Sequence, residues 1–350
     1  MYLSVVPIQK FALTTINKII MYVINSLKLK RGDIILVRYP GDELSQKIMK
    51  KTNSNYSHAM LYVDLDSIIE AGEIVTANNP IRETIENLED ACVLRLKPEY
   101  WDESLIDAAI GYARQKIGMQ YSLREACNVI NPPQTVEQPN RQICTRLVAR
   151  AFQEAGLSIV DNPDYSSLLD FEKSDKFEIV EDAFIEITPE IQEIIDSENI
   201  LDRQTEVISS LLETCRNEFH EDIQSINQLH LFSTLHPERN EKIISIINES
   251  GYLDLWKEDE KINGYNFNAD LFIEKYKENT MPAVAINSLA VNQCEHRYKS
   301  NLMAFLFESL MNGSNSYREI MIQLYHNLVE QCNRRRMVLA EVLEKIKTTA

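Results

Sequence analysis

Residues 142–156 read QICTRLVARAFQEAG, from Gln142 to Gly156, and place a cysteine at the opening turn of an amphipathic helix. Leu147, Val148, Ala151, Phe152 and Ala155 recur at helical spacing on one face, with Arg146, Arg150, Gln153 and Glu154 opposite, and Gly156 supplies the stop. Cys144 falls at the first or second helical residue. A thiol there meets unpaired backbone N–H groups and the positive end of the helix dipole, which favour the thiolate and can hold an oxyanion. A buried structural cysteine at a helix start has the same local pattern, so the surrounding chain has to decide between the two.

Working upstream, a loop carrying Asn131, Pro132, Pro133 and Pro139 precedes the helix, with Tyr121 before the loop and Gly118 closing a helix over Glu103–Lys116. Strands are expected over Ile34–Tyr39 and Ala91–Leu96, and a short helix over Glu43–Lys51. Between them SHAMLYVDLDSIIEAG alternates as a hairpin: Ser57–Val63 runs up, Asp64–Asp66 turns, and Ser67–Ala71 runs back. A turn centred there sets Met60 roughly opposite Glu70. His58, two residues from Met60, shares its face and lies diagonal to Glu70, a separation that long side chains bridge.

A thiol nucleophile needs an imidazole to take its proton and a polar group to orient that imidazole. His58 is the sole histidine before residue 220; His220, His230, His236, His296 and His326 all follow. If Cys144 is served by its own part of the chain, the base is therefore His58. For each residue a plainer role competes: a satisfied strand-start histidine for His58, a solvated hairpin charge for Glu70.

At 350 residues the chain has room for two domains at about 150 residues each. With 53 acidic against 36 basic residues its net charge is -17, which lacks the basic footprint that nucleic-acid binding requires. Six cysteines without short paired spacings indicate neither a disulfide framework nor a zinc ribbon, and a reducing compartment is the default. Cys294 with His296, and Cys215 with His220, lack a second pair at zinc-site spacing, so no metal and no cofactor is expected. Phe11–Leu27 reads as an amphipathic helix too broken to span a membrane, packed against the protein or in weak contact with a membrane surface. The basic Lys28, Lys30 and Arg31 follow it, the reverse of a secretory signal. The expected location is cytoplasmic, or outside the cell by a route that uses no signal peptide.

Downstream, Asn162–Asp164 makes a turn and Phe177–Ile187 a last strand or strand pair. Thr188–Pro189 then marks a boundary, and only helical patterns follow: 189–196, 202–220, 237–250, 269–278, 282–311 and 317–347. The expected organisation is an N-terminal helix in 1–29, an α+β domain with a central antiparallel sheet in 30–188, and an all-helical C-terminal domain in 189–350.

In order along the chain, Arg31-Gly32-Asp33-Ile34-Ile35, Tyr56-Ser57-His58, Ile69-Glu70-Ala71, Gly118-Met119-Gln120-Tyr121 and Cys144-Thr145-Arg146-Leu147-Val148 resemble the circularly permuted papain-like enzymes related to NlpC-type amidases, in particular the YaeF/YiiX-like group. The resemblance covers about residues 30–188. Unpermuted relatives place the cysteine helix before the histidine strand; here His58 comes first. The resemblance implies Cys144 as nucleophile, His58 as general base and acid, Glu70 as the orienting third residue and Tyr121 at the oxyanion site. The chain departs from many relatives in having Thr145 rather than serine after the cysteine, and a proline-rich rather than glycine-rich loop over 128–140.

The leading expectation is thus a thiol amidase or peptidase acting through an acyl-enzyme on a peptide or amide, as a bacterial cell-wall or effector enzyme. An alternative is lipid acyl hydrolysis or transfer, because the lecithin–retinol acyltransferase group shares the permuted core; those enzymes typically use two histidines. A third is an interaction protein whose helical domain binds a partner protein.

Overall fold

The structure is a computed structural model that describes residues 21–64 and 67–349. It opens with β1 (Tyr22–Ile24), β2 (Ile34–Val37) and α1 (Glu43–Thr52). Strands β3 (His58–Asp64), β4 (Ser67–Ala71), β5 (Val75–Asn78), β6 (Thr84–Ile85) and β7 (Ala91–Leu96) follow. Then come α2 (Glu103–Gln115), α3 (Leu123–Asn128), α4 (Cys144–Glu154) and α5 (Leu168–Lys173), and β8 (Phe177–Ile179) and β9 (Phe184–Glu186) close this half.

Six of these strands form one antiparallel sheet in the order β5-β4-β3-β2-β7-β8. Strand β2 reads IILV and is buried along its whole length, as a central strand covered on both faces must be. Its alternation sends Ile34 and Leu36 to the face packed by Ile106 and Ala109 of α2 and Leu147 and Phe152 of α4. Ile35 and Val37 go to the other face, against Ile24, Ile85 and Ala183. That second cover is the small sheet β6-β1-β9, so the last strand pair divides, β8 extending the large sheet and β9 the small one.

The helix expected over 11–27 is corrected where it is described; residues 11–20 lie outside the described residues. Tyr22–Ile24 is a strand paired with both β6 and β9. A helix would have put Val23 and Leu27 on one buried face, whereas Val23 is 0% and Leu27 77% exposed, because the chain turns out of the strand at Asn25 and Ser26. A β-branched and aromatic run that completes a sheet outweighs its helical periodicity.

The remaining half is helical: α6 (Pro189–Asp196), α7 (Ile200–Phe219), α8 (Ile226–Leu235), α9 (Asn240–Ser250), α10 (Leu255–Ile262), α11 (Ala269–Tyr276), α12 (Thr280–Asn312) and α13 (Ser316–Thr349). Sequence patterning misses α8 and α10. The first is rich in Asn, Gln, His, Ser and Thr and is capped by Ser225, whose Oγ accepts from Gln228 N at 3.3 Å. The second is a short charged helix. Pro237 opens a 3-10 turn rather than α9 itself. One core gathers Ile208, Leu212, Ile243, Ile247, Tyr317 and Met321, and a distal one Phe272, Val291, Cys332 and Val342. Among the described residues no helix is long and apolar enough to cross a membrane.

Candidate active site

Helix α4 begins at Cys144, with Leu147, Val148, Ala151 and Phe152 fully buried beneath it. Its N-cap is Ile143, which has no side-chain oxygen to offer, and the first turn carries no acidic residue. The orphan N–H groups and the positive helix end are therefore left to the cysteine and whatever approaches it. Arg146 departs from the expected polar face, being 3% exposed. It is drawn inward by the fully buried Glu125 at 2.7 Å and by the Asp164 carbonyl oxygen, which accepts from its Nε at 3.0 Å. A buried charge needs such a partner, and this one ties α4 to α3.

The hairpin register is the expected one. Met60 faces Glu70, which places His58 diagonal to that carboxylate, and His58 Nε2 lies 2.8 Å from Glu70 Oε2. The other carboxylate oxygen accepts from Asn78 Nδ2 at 3.3 Å, across the β4–β5 pair. With Nε2 engaged by Glu70, Nδ1 is left for the sulfur, and the His58 and Cys144 side chains are hydrogen-bonded.

Burial works against charge on all three groups, and their mutual contacts overcome it. Burial pushes the Cys144 thiol up, but the His58 hydrogen bond and charge, with the backbone N–H groups of Ala59 and Thr145, bring it below its ordinary value. Burial lowers His58, yet Cys144 and Glu70 raise it well above its ordinary value. Glu70 is likewise driven up by burial and, on balance, held down by His58 and Asn78. All three shifts run toward the charged forms, thiolate, imidazolium and carboxylate.

Tyr121 is fixed by an isolated bridge to Gln142, two residues before Cys144, and packs on the cluster that holds the thiol. Burial, then the neighbouring Cys144, push its phenol far above the ordinary value, so it stays an O–H donor. Tyr39 and Glu83 also belong to this neighbourhood and escape sequence reasoning. Tyr39 Oη donates to Glu83 Oε1 at 2.8 Å. Burial pushes Glu83 up to about 7; the Tyr39 bond opposes this, Glu70 adds to it and His58 opposes it. Tyr39 is raised by burial and by the negative charges of Glu83, Glu70 and Cys144. The signal for Tyr39 was the β2–β3 register, which sets Val37 opposite His58 and so carries Tyr39 past it. Nothing in the local pattern marks Glu83.

Among the described residues no group of three or more His, Cys, Asp or Glu side chains is arranged to hold a metal ion. Residues 28–190 match a family model described as permuted papain-like amidase enzyme, YaeF/YiiX, C92 family. This is the family that the five ordered motifs resemble, and the match bears the resemblance out. It takes in every residue of the site and stops inside α6, leaving almost all of the helical half outside. No curated protein matches the chain.

Proposed function

We propose that the protein is a thiol hydrolase that cleaves an amide bond through an acyl-enzyme on Cys144. The observation that carries this is the single imidazole of His58, hydrogen-bonded to Cys144 on one side and 2.8 Å from Glu70 on the other, at the uncapped start of a helix. The thiolate adds to the carbonyl carbon, and the resulting oxyanion is held by first-turn N–H groups and the Tyr121 O–H. As it collapses the C–N bond breaks and the amine leaves with the proton of His58. Water then attacks the thioester, His58 takes its proton, and the acid is released with the thiolate restored. Glu70 keeps the ring oriented and favours its protonated form. The family, one of amidases, supports a peptide or amide substrate.

The experiment is intact mass spectrometry after incubation with peptidoglycan fragments and, separately, with phospholipid vesicles. An acyl adduct on Cys144 from the peptides alone supports the amidase; an adduct from the phospholipid alone replaces it with the lipid reading. No adduct from either, with Cys144→Ala indistinguishable from wild type, removes thiol catalysis.

The folding unit that carries the catalytic groups is proposed to end at residue 188. Both cores that flank the large sheet draw only on residues before that point. A fragment of residues 21–188 should therefore unfold cooperatively in urea, at a lower midpoint than the full chain. A molten fragment would show that the helices complete the core of the first half.

A further inference from the structure

Two short segments, 118–122 and 140–142, carry Tyr121 and lead into α4. They are bonded to each other, Gln142 N donating to Gln120 O at 3.0 Å and Ser122 N to Gln142 O at 2.9 Å. Both are also bonded to the loop between α7 and α8 and to the first turn of α8. Gln224, 0% exposed, accepts from Gln120 N at 3.1 Å and donates to Gln120 Oε1 at 3.3 Å and to Asp222 Oδ1 at 2.7 Å. Asp222 in turn accepts from Arg141 Nη1 at 3.0 Å, and Gln228 Nε2 donates to Asn140 Oδ1 at 3.2 Å.

A primary amide buried this completely is costly unless its donors and acceptor are all used, and here they are. The approach at Gly118 also leaves no room for a side chain. Gly118 sits at φ +95, and a Cβ there would overlap Leu212 Cδ1 and lie 3.2 Å from Gln224 O. The backbone of Gln120 is therefore held on one side by Gln142 and on the other by the helical half. The next residue, Tyr121, is fixed through its N–H to Glu73 O at 2.9 Å.

We propose that Gln224 is a positioning residue for oxyanion stabilisation at Cys144: by clamping Gln120 it fixes Tyr121 against the start of α4, making the helical half part of the catalytic device. This rests on the reading of Cys144 and Tyr121 given above. It also gives the helical half a role in a reaction whose groups all lie in the other half.

Two probes of the full-length protein separate positioning from mere stability. p-Nitrophenyl acetate acylates the thiol: the Sγ–acyl bond forms through a tetrahedral oxyanion, the ester C–O bond breaks and p-nitrophenolate leaves. Iodoacetamide alkylates the same sulfur by displacing iodide, with no oxyanion on the path. Gln224→Ala should slow the acylation burst about tenfold while alkylation of Cys144 stays within about twofold of wild type. Asp222→Ala takes one acceptor from the Gln224 amide at a half-exposed position where water can replace it, so it should fold and slow acylation about threefold, again sparing alkylation. If Cys144→Ala keeps the burst, the reading of the thiol is what fails. If Cys144→Ala loses it but both variants keep the wild-type ratio of acylation to alkylation, or lose both rates together, the positioning role is overturned.

Discussion

Two buried cysteines on helices, one in each half of the molecule, are driven in opposite directions. Cys215 lies deep in α7 with 0% exposure, and burial pushes its thiol up to about 12, Arg216 offsetting only part. Cys144 is 7% exposed on the first turn of α4 and ends below its ordinary value. Cys332, in the distal core, repeats the first case, again at about 12. Burial by itself therefore protonates a thiol. It takes a helix start with unclaimed N–H groups and an adjoining imidazole, itself backed by a carboxylate, to reverse the sign.

The largest break in that contrast comes from removing the imidazole. General-base activation typically contributes about two to four powers of ten, so His58→Ala should lose nearly as much turnover as Cys144→Ala, measured by release of p-nitrophenolate. Groups acting as one unit are not additive, and the double variant should be no worse than either single one. Wild-type turnover in His58→Ala beside a dead Cys144→Ala would move the base into the helical half.

Glu70→Gln should cost less, about one to two powers of ten, because the imidazole remains. Its more telling effect is on pH. On an amide substrate, whose amine must leave protonated, activity should rise with pH as Cys144 loses its proton and fall at higher pH as His58 loses the proton it gives to the leaving group. The Glu70 charge helps to raise His58, so its loss should move the alkaline limb to lower pH. An unmoved limb would deny Glu70 its assigned part.

The smallest effect tests Glu83, which holds its proton up to about 7 in the folded chain against 4.5 ordinarily. Between those values the folded state binds more protons than the unfolded one, so the stability from this residue falls as pH rises through that window. Glu83→Gln should accordingly raise the melting temperature at pH 8 and leave it unchanged at pH 4. The gain is on the order of 1 kcal/mol, with a ceiling of about 3 kcal/mol from the size of the shift. A destabilised Glu83→Gln at pH 8 would mean that the carboxylate is ionised and paired there.

The legible parts of the sequence were those where local pattern and tertiary role agree. The alternation of the β3–β4 hairpin gave the pairing of Met60 with Glu70, and with it the His58–Glu70 contact. The helical period of α4 gave its buried face but misplaced Arg146, whose partner Glu125 lies 21 residues away and leaves no periodic trace. Tyr22–Ile24 continues a helical period, and the partners that make it a strand, β6 and β9, are remote in sequence. Glu83 and Gln224 are isolated polar residues whose importance lies wholly in what folds against them.

Competitive alkylation decides whether Cys144, unlike the other buried thiols, reacts as a thiolate at neutral pH. The native protein is treated with limiting iodoacetamide at pH 7, quenched, unfolded, and its cysteine peptides quantified. Cys144 should be modified at least about tenfold faster than Cys215 and Cys332 despite its burial, and His58→Ala should erase the difference. Labelling of Cys144 no faster than Cys215 and Cys332 in the wild-type protein would mean that its thiol is as protonated as theirs and is not activated by His58.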